Sequence, residues 1–300
     1  MKDSNCKPAI IKYAIIVVFS IFFSMCSTFS IDNSPPVPFV VRTKAQIEAY
    51  IDANWEAYGY TERPVKFAAI TIDDGPSSAD FYGGSQAMVD LLDELKIKAT
   101  FYVNGNNLRD NYSQAEVIFE AGHEFGNHSD THANLKDLLD ESGEDAVRKE
   151  ILDCSYGIRR VTGAYPRTFR APFLDSENER WLLNLIADLD DAGHGNRNMA
   201  IIGVSVDSND WKDEIESGET STGVSLEAII NNATRPDRMA DGVILLFHEP
   251  SVSNNKTLTT LPEIVQMYRN AGFWFLTVSE MFSVRGRKMV PGTFHQRIGP

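Results

Sequence analysis

From Lys66 onward, short apolar, β-prone runs alternate with amphipathic helical ones, and no other feature constrains the fold as much. The strand candidates are Phe67–Asp73, Thr100–Asn104, Glu124–Asn127, Thr168–Arg170, Ala200–Asp207, Val243–His248 and Phe273–Val278. Between them, Met88, Leu91, Leu92 and Leu95 keep helical spacing, as do Leu182, Leu185, Ile186 and Leu189. Ile229 and Ile230 mark a short helix, and Ile264, Val265 and Tyr268 the last one. Ser142 with Asp145, and Ser176 with Glu179, are capping signatures for two of the helices. Repeated βα units require a parallel sheet. Seven such units in one α/β chain predict a closed or nearly closed barrel rather than an open sheet. In a barrel, active residues gather at the C-terminal ends of the strands.

Those ends carry a concentration of reactive side chains. Thr71-Ile72-Asp73-Asp74-Gly75-Pro76-Ser77 ends the first strand, where Gly75-Pro76 stops the pairing. Neighbouring strand residues point to opposite faces, so Asp73 and Asp74 can share a site only if the strand is already ending there. His128-Ser129-Asp130-Thr131-His132 follows the third strand and Arg170-Ala171-Pro172-Phe173 the fourth. Asp207-Ser208-Asn209-Asp210-Trp211 ends the fifth and His248-Glu249 the sixth.

Each group has a plain alternative. An Asp-Asp-Gly-Pro stretch is usually just a turn, and two polar histidines often just a solvated loop. Asp210-Trp211 can be a helix-start acid beside a core indole, and a histidine leaving a buried strand is often a hydrogen-bonded core residue. Their coincidence on one rim favours chemistry. His128 and His132 with one carboxylate form the open donor set of a catalytic divalent ion, with Asp74 as the natural third ligand. Asp73 is then free to serve as a base, and Arg170 beside it would keep it ionised. An acid such as Asp210 near His248 would raise its pKa and make it a proton donor. His123, His194 and His295 have no partners of this kind.

The rest of the chain sets limits. Its formal charge of −14 argues against a nucleic-acid partner and suits a neutral substrate or a cationic product. Residues 1–30 read as a secretory signal peptide, with Lys2, Lys7 and Lys12 before the apolar run Ala14–Phe23. An uncleaved membrane anchor is the first alternative and a lipoprotein lipidated at Cys26 the second. In each case the protein is exported to the periplasm, the cell surface or the medium. Residues 31–63 are expected to be a proline-rich linker plus a helix begun by the capping box Thr43/Gln46. Residues 286–300 form a basic tail, either a solvated end or an electrostatic clip to the acidic body. Cys154 lies on an apolar helical stripe and reads as a buried small hydrophobe.

Over residues 64–285 the chain resembles the polysaccharide deacetylases of the NodB-homology type, carbohydrate esterase family 4. Five motifs occur in the family's order: Thr-Ile-Asp-Asp-Gly-Pro-Ser, His-Ser-x-x-His, Arg-x-Pro-Phe, Asp-x-x-Asp-Trp and Ile-x-Leu-x-His. The resemblance implies a distorted (β/α)7-8 barrel of the NodB type. It implies that Asp74, His128 and His132 bind a divalent metal, zinc first, with cobalt, nickel or manganese as alternatives. It further implies Asp73 as catalytic base and His248 as catalytic acid, tuned by Arg170 and Asp210. Phe173 would give a backbone oxyanion donor, while Trp211 and Leu246 would wall the acetyl pocket. Phe173 stands where tyrosine is usual, and Glu249 where aspartate is common. The implied activity is hydrolysis of acetyl groups on N-acetylated glycans such as peptidoglycan or chitin-like oligomers. O-acetyl xylan is the alternative substrate, and a non-catalytic glycan-binding protein the alternative of another class. The acidic Lys212–Ser225 stretch beside the site is a candidate for altering substrate choice.

Overall fold

Strand β1 (Lys66–Gly75) is the axis of the molecule. In the computed structural model, which describes residues 40–191, 195–196, 199–212 and 223–300, it pairs in parallel with three others. The further strands are β2 (Thr100–Val103), β3 (Glu124–Asn127), β4 (Thr168–Phe169), β5 (Asp190–Asp191), β6 (Gly195–Asn196), β7 (Ala200–Ile202), β8 (Val206–Asp207), β9 (Val243–His248), β10 (Phe273–Phe275) and β11 (Phe294–His295). Nine of them make one curled parallel sheet in the order β11-β7-β4-β3-β2-β1-β9-β8, with β10 beside the start of β1. β5 and β6 form a separate antiparallel pair. This is the distorted (β/α) barrel, its wall left open between β8 and β11.

Alternation along β1 sorts the interior. Ala68, Ile70 and Ile72 pack outward under the helices with Met88, Leu92, Ile264 and Val265. Phe67 and Ala69 point into the barrel with Tyr102, Ile202 and Ile244. Thr71 and Asp73 continue that inner face, so the barrel is apolar at its base and polar at its upper end.

Several local expectations shift. The predicted strand 200–207 divides: β7 pairs with β4, whereas β8 crosses to β9. The predicted strand 273–278 stops at Phe275, because Thr277 and Glu280 form a capping box that opens a helix over Val278–Val284. Ser142 ends one helix, and Gly143 caps the next (Glu144–Thr162). Ser176 likewise lies before Glu179, the cap of the helix Arg180–Ala187. The N-terminal helix (Lys44–Asn54) carries the Thr43/Gln46 capping box and buries Ile47 and Ile51 beside Met281 and Phe282. The basic tail is more than a solvated end, since it supplies β11 and the buried Ile298. Arg285, at its root, pairs with Asp241. Cys154 is buried and free. The targeting segment, residues 1–30, and His194 lie outside the described residues, as does most of the 212–225 stretch. Among the described residues, no helix is long and apolar enough to cross a membrane.

Candidate active site

The end of β1 is irregular, and the irregularity builds the site. Its register against β2 shifts between Asp73 and Gly75, and Asp74 has φ 69°. Such a bulge re-aims a side chain that would otherwise face away. Asp73 therefore stays in the barrel while Asp74 turns onto the rim above it. A cis peptide joins Gly75 to Pro76.

His128 and His132 meet Asp74 from the loop after β3. Asp74 Oδ1 lies 3.2 Å from His132 Nε2 and 3.6 Å from His128 Nε2. One ligand atom from each of the three residues lies within 4.8 Å of the others. Left-handed backbone at Ser129 (φ 63°) and His132 (φ 61°) curls the loop, and Ser129 Oγ accepts the His132 N–H at 3.1 Å. His128 Nδ1 faces the Arg170 carbonyl at 2.9 Å, so it must carry the proton and leave Nε2 a bare lone pair. Burial pushes the His128 pKa down to about 3, which keeps the ring neutral. Asp74 Oδ1 is buried yet accepts no hydrogen bond. A buried carboxylate oxygen without a donor, facing two imidazole nitrogens, fits a divalent cation.

Asp73 sits beneath this triad. Its Oδ1 accepts from Arg170 Nη1 at 2.7 Å, and its Oδ2 lies 3.6 Å from His128 Nε2. Arg170 is fully buried. It also donates to Thr71 Oγ1 at 2.8 Å, Ile202 O at 3.0 Å and Gly203 O at 3.2 Å, and it stacks 4.1 Å over the Tyr102 ring. Two effects oppose each other at the Asp73 carboxyl, whose pKa lies above the ordinary carboxylate value. Burial raises it, and the Arg170 charge offsets only part of the rise.

On the other side, His248 Nδ1 lies 2.7 Å from Asp210 Oδ1, while Asp210 Oδ2 accepts the His248 backbone N–H at 2.8 Å and the Thr257 hydroxyl. Burial works against a charge on His248. Asp210, helped by Asp73 and Asp74, outweighs it and lifts the pKa to about 9. Thr257 and Tyr102 carry no sequence signal of their own, being single residues on an outer helix and an inner strand. Glu249 is buried, donates its backbone N–H to Asp73 O at 3.1 Å and accepts from Ser85 Oγ at 2.7 Å. Burial lifts its pKa to about 8.

Phe173, Trp211 and Leu246 differ in setting. Phe173 has φ 61°, is 64 % exposed, and packs its ring 4.6 Å from that of His132. Trp211 is 44 % exposed on the same rim. Leu246 is buried on β9, in register with Thr71. His123 is buried away from the site, its Nδ1 accepting the Ala99 N–H, and His295 lies on β11.

The family model for polysaccharide deacetylase matches residues 61–190, the part that carries Asp73, Asp74, His128, His132, Arg170 and Phe173. Over those residues the chain is similar to the polysaccharide deacetylase family. Among curated relatives, this chain is 28 % identical over 222 residues to a bifunctional xylanase/deacetylase of Pseudobutyrivibrio xylanivorans, covering 74 % of itself and 31 % of that protein. It is 27 % identical over 262 residues to a peptidoglycan-N-acetylglucosamine deacetylase of Bacillus cereus, covering 83 % of itself and 84 % of the relative. It thus spans about a third of the first relative's length and most of the second's. Among solved structures it resembles the Xyl-CE4 domain of a multidomain xylanase from the hindgut metagenome of Trinervitermes trinervoides. That match has a TM-score of 0.61 and 25 % identity, and covers 78 % of this chain and 98 % of the other.

Proposed function

We propose that the protein removes acetyl groups from N-acetylated glycans, namely peptidoglycan or chitin-like oligomers, using one divalent cation held by Asp74, His128 and His132. Zinc suits two imidazoles and a carboxylate, and cobalt, nickel or manganese could substitute. When bound, the cation would supply Lewis acidity, polarising the acetyl carbonyl and acidifying a water.

The chain's own residues do the rest. Asp73, a buried carboxylate of raised basicity fixed by Arg170, takes the proton of the attacking water. The backbone N–H of Phe173 donates to the oxyanion that forms as the carbonyl becomes tetrahedral. His248 is held protonated by Asp210 and gives its proton to the departing sugar nitrogen. Trp211 and Leu246 flank the acetyl methyl. One observation carries the reading: a base held by an arginine and a histidine acid held by an aspartate share a rim with an unsatisfied triad. An amide needs leaving-group protonation more than an activated ester does. His248→Ala should therefore depress amide cleavage far more than cleavage of an activated acetate ester, and equal losses would overturn the assignment.

O-acetyl xylan is a second substrate reading, supported by the xylanase/deacetylase relative. The leader-like residues 1–30 support export. A reporter fused after residue 40 should leave the cytoplasm, and its retention would contradict this.

A further inference from the structure

The loop that joins β1 to the helix Gly84–Glu94 has no part in the chemistry above, yet it is built with unusual care. Its ends are pinned together: Ser77 N–H donates to Ser85 Oγ at 2.8 Å, and Ser85 N–H to Ser77 O at 3.3 Å. Ser77 Oγ lies 2.5 Å from Ser251 Oγ, on the segment that follows His248. Within the loop, Phe81 N–H donates to Ser78 O, and Gly84 N–H to Phe81 O. Tyr82, Gly83 and Gly84 all have positive φ (52°, 87° and 64°). A Cβ on Gly84 would sit 2.6 Å from the Ser77 and Ser78 carbonyls, so the turn closes too tightly for any side chain there. A bulky residue such as Tyr82 in the left-handed region is strained, and strain of this sort persists where surrounding structure enforces it.

What the loop presents is aromatic and open. Phe81 is 50 % exposed and Tyr82 55 %. Among the described residues, neither ring stacks on another and the Tyr82 hydroxyl has no hydrogen-bond partner. The strongly exposed aromatics of the described protein are Tyr50, Phe81, Tyr82, Tyr112, Phe173 and Trp211. Four of these six follow the C-terminal ends of strands, on the rim that carries the triad. Phe81 is seven residues from Asp74, which bounds their separation at about 25 Å. A rigid, strained loop holding two wet rings beside an active site is explained by a flat, partly apolar partner. A pyranose ring has such a face in its axial C–H groups, which suit the negative face of an aromatic ring.

We propose that Phe81 and Tyr82 form a stacking platform for a sugar unit of the glycan other than the one that loses its acetyl group. This rests on the glycan reading above and extends it: the substrate is a chain, gripped at a second point. Replacing both rings should weaken chain binding by about tenfold or more, the order of one face-on stacking contact.

The test uses the full-length protein with zinc, chitohexaose, and a small acetate ester that cannot span the rim. The variants are Phe81→Ala/Tyr82→Ala and the aromatic-conserving Phe81→Trp/Tyr82→Phe. Affinity is read by calorimetry and turnover by acetate release. The platform predicts that the alanine pair loses hexaose affinity about tenfold, and that its kcat/KM for hexaose relative to the ester falls by a similar factor. The aromatic pair should restore both. Unchanged hexaose affinity in the alanine pair, with the wild type active, overturns the platform and leaves the deacetylase reading standing. Ring-dependent hexaose binding without acetate release from any substrate does the reverse.

Discussion

Arg170 Nη1 stands 2.7 Å from Asp73 Oδ1 in a part of the barrel from which both side chains are shut off from water. The pair joins Asp73 to the wall of the barrel through Thr71, Ile202 and Gly203. Removing the guanidinium would strand a buried carboxylate and two carbonyls. Arg170→Met should destabilise the protein by about 3–5 kcal/mol, whereas adding Asp73→Leu to it should recover part of that loss, because no charge is then left unpaired. Urea unfolding of the single and double variants checks the order, and a double variant less stable than the single one would contradict it.

His248 gives a pH-dependent test. Its pKa of about 9 lies above the ordinary 6.5 of an imidazole, so its charged form stabilises the fold fully below about pH 6.5. That contribution is lost as pH rises through about 9. Asp210→Asn should cost on the order of 3 kcal/mol at about pH 6, with the gap to wild type closing above about pH 9. Unfolding of chelated protein at both pH values measures it; a gap independent of pH would contradict the pairing.

The triad makes a prediction about cation affinity that needs no turnover. Asp74→Ala should weaken zinc binding by at least about 100-fold, more than loss of an outer hydrogen-bonding partner does. Asp73→Asn should leave zinc bound but lower kcat by about 100-fold or more. Calorimetric titration of each variant separates the two roles, and comparable zinc losses in both would merge them.

Gly126 on β3 lies against the ring that supports Arg170. A Cβ there would come within 2.4 Å of the Tyr102 ring, which the guanidinium covers at 4.1 Å. Gly126→Ala should therefore destabilise by about 1–3 kcal/mol and reduce activity by displacing Arg170. A thermal melt indistinguishable from wild type would show that the ring can yield.

The barrel was legible because each buried strand leaves a local signature: an apolar run that ends in turn residues or a reactive polar one. Strands β3 and β9 match their predicted bounds. The rim was legible for the same reason, since Asp73, His128, Arg170, Asp210 and His248 each follow such a run. Long-range facts were not. Nothing local shows that Asp74 turns onto the rim, because the bulge is defined only against β2. The two-residue β11 takes its place from the open edge of β7 rather than from its own pattern. Ser142 and Ser176 carry capping signals overridden by neighbouring chain, and Thr257 gains meaning only once its helix lies against Asp210. The burial that raises the Asp73 pKa is likewise a long-range fact: pairing with Arg170 is visible in a motif, whereas depth of burial is not.

The most direct test of the central claim is acetate release from N-acetylated chitooligomers, peptidoglycan and acetylxylan, measured with zinc, after chelation, and after zinc is restored. Release from an N-acetylated glycan that vanishes with the chelator and returns with zinc is the predicted result. No release from any of the three with zinc confirmed bound, or release that survives complete chelation, would contradict it.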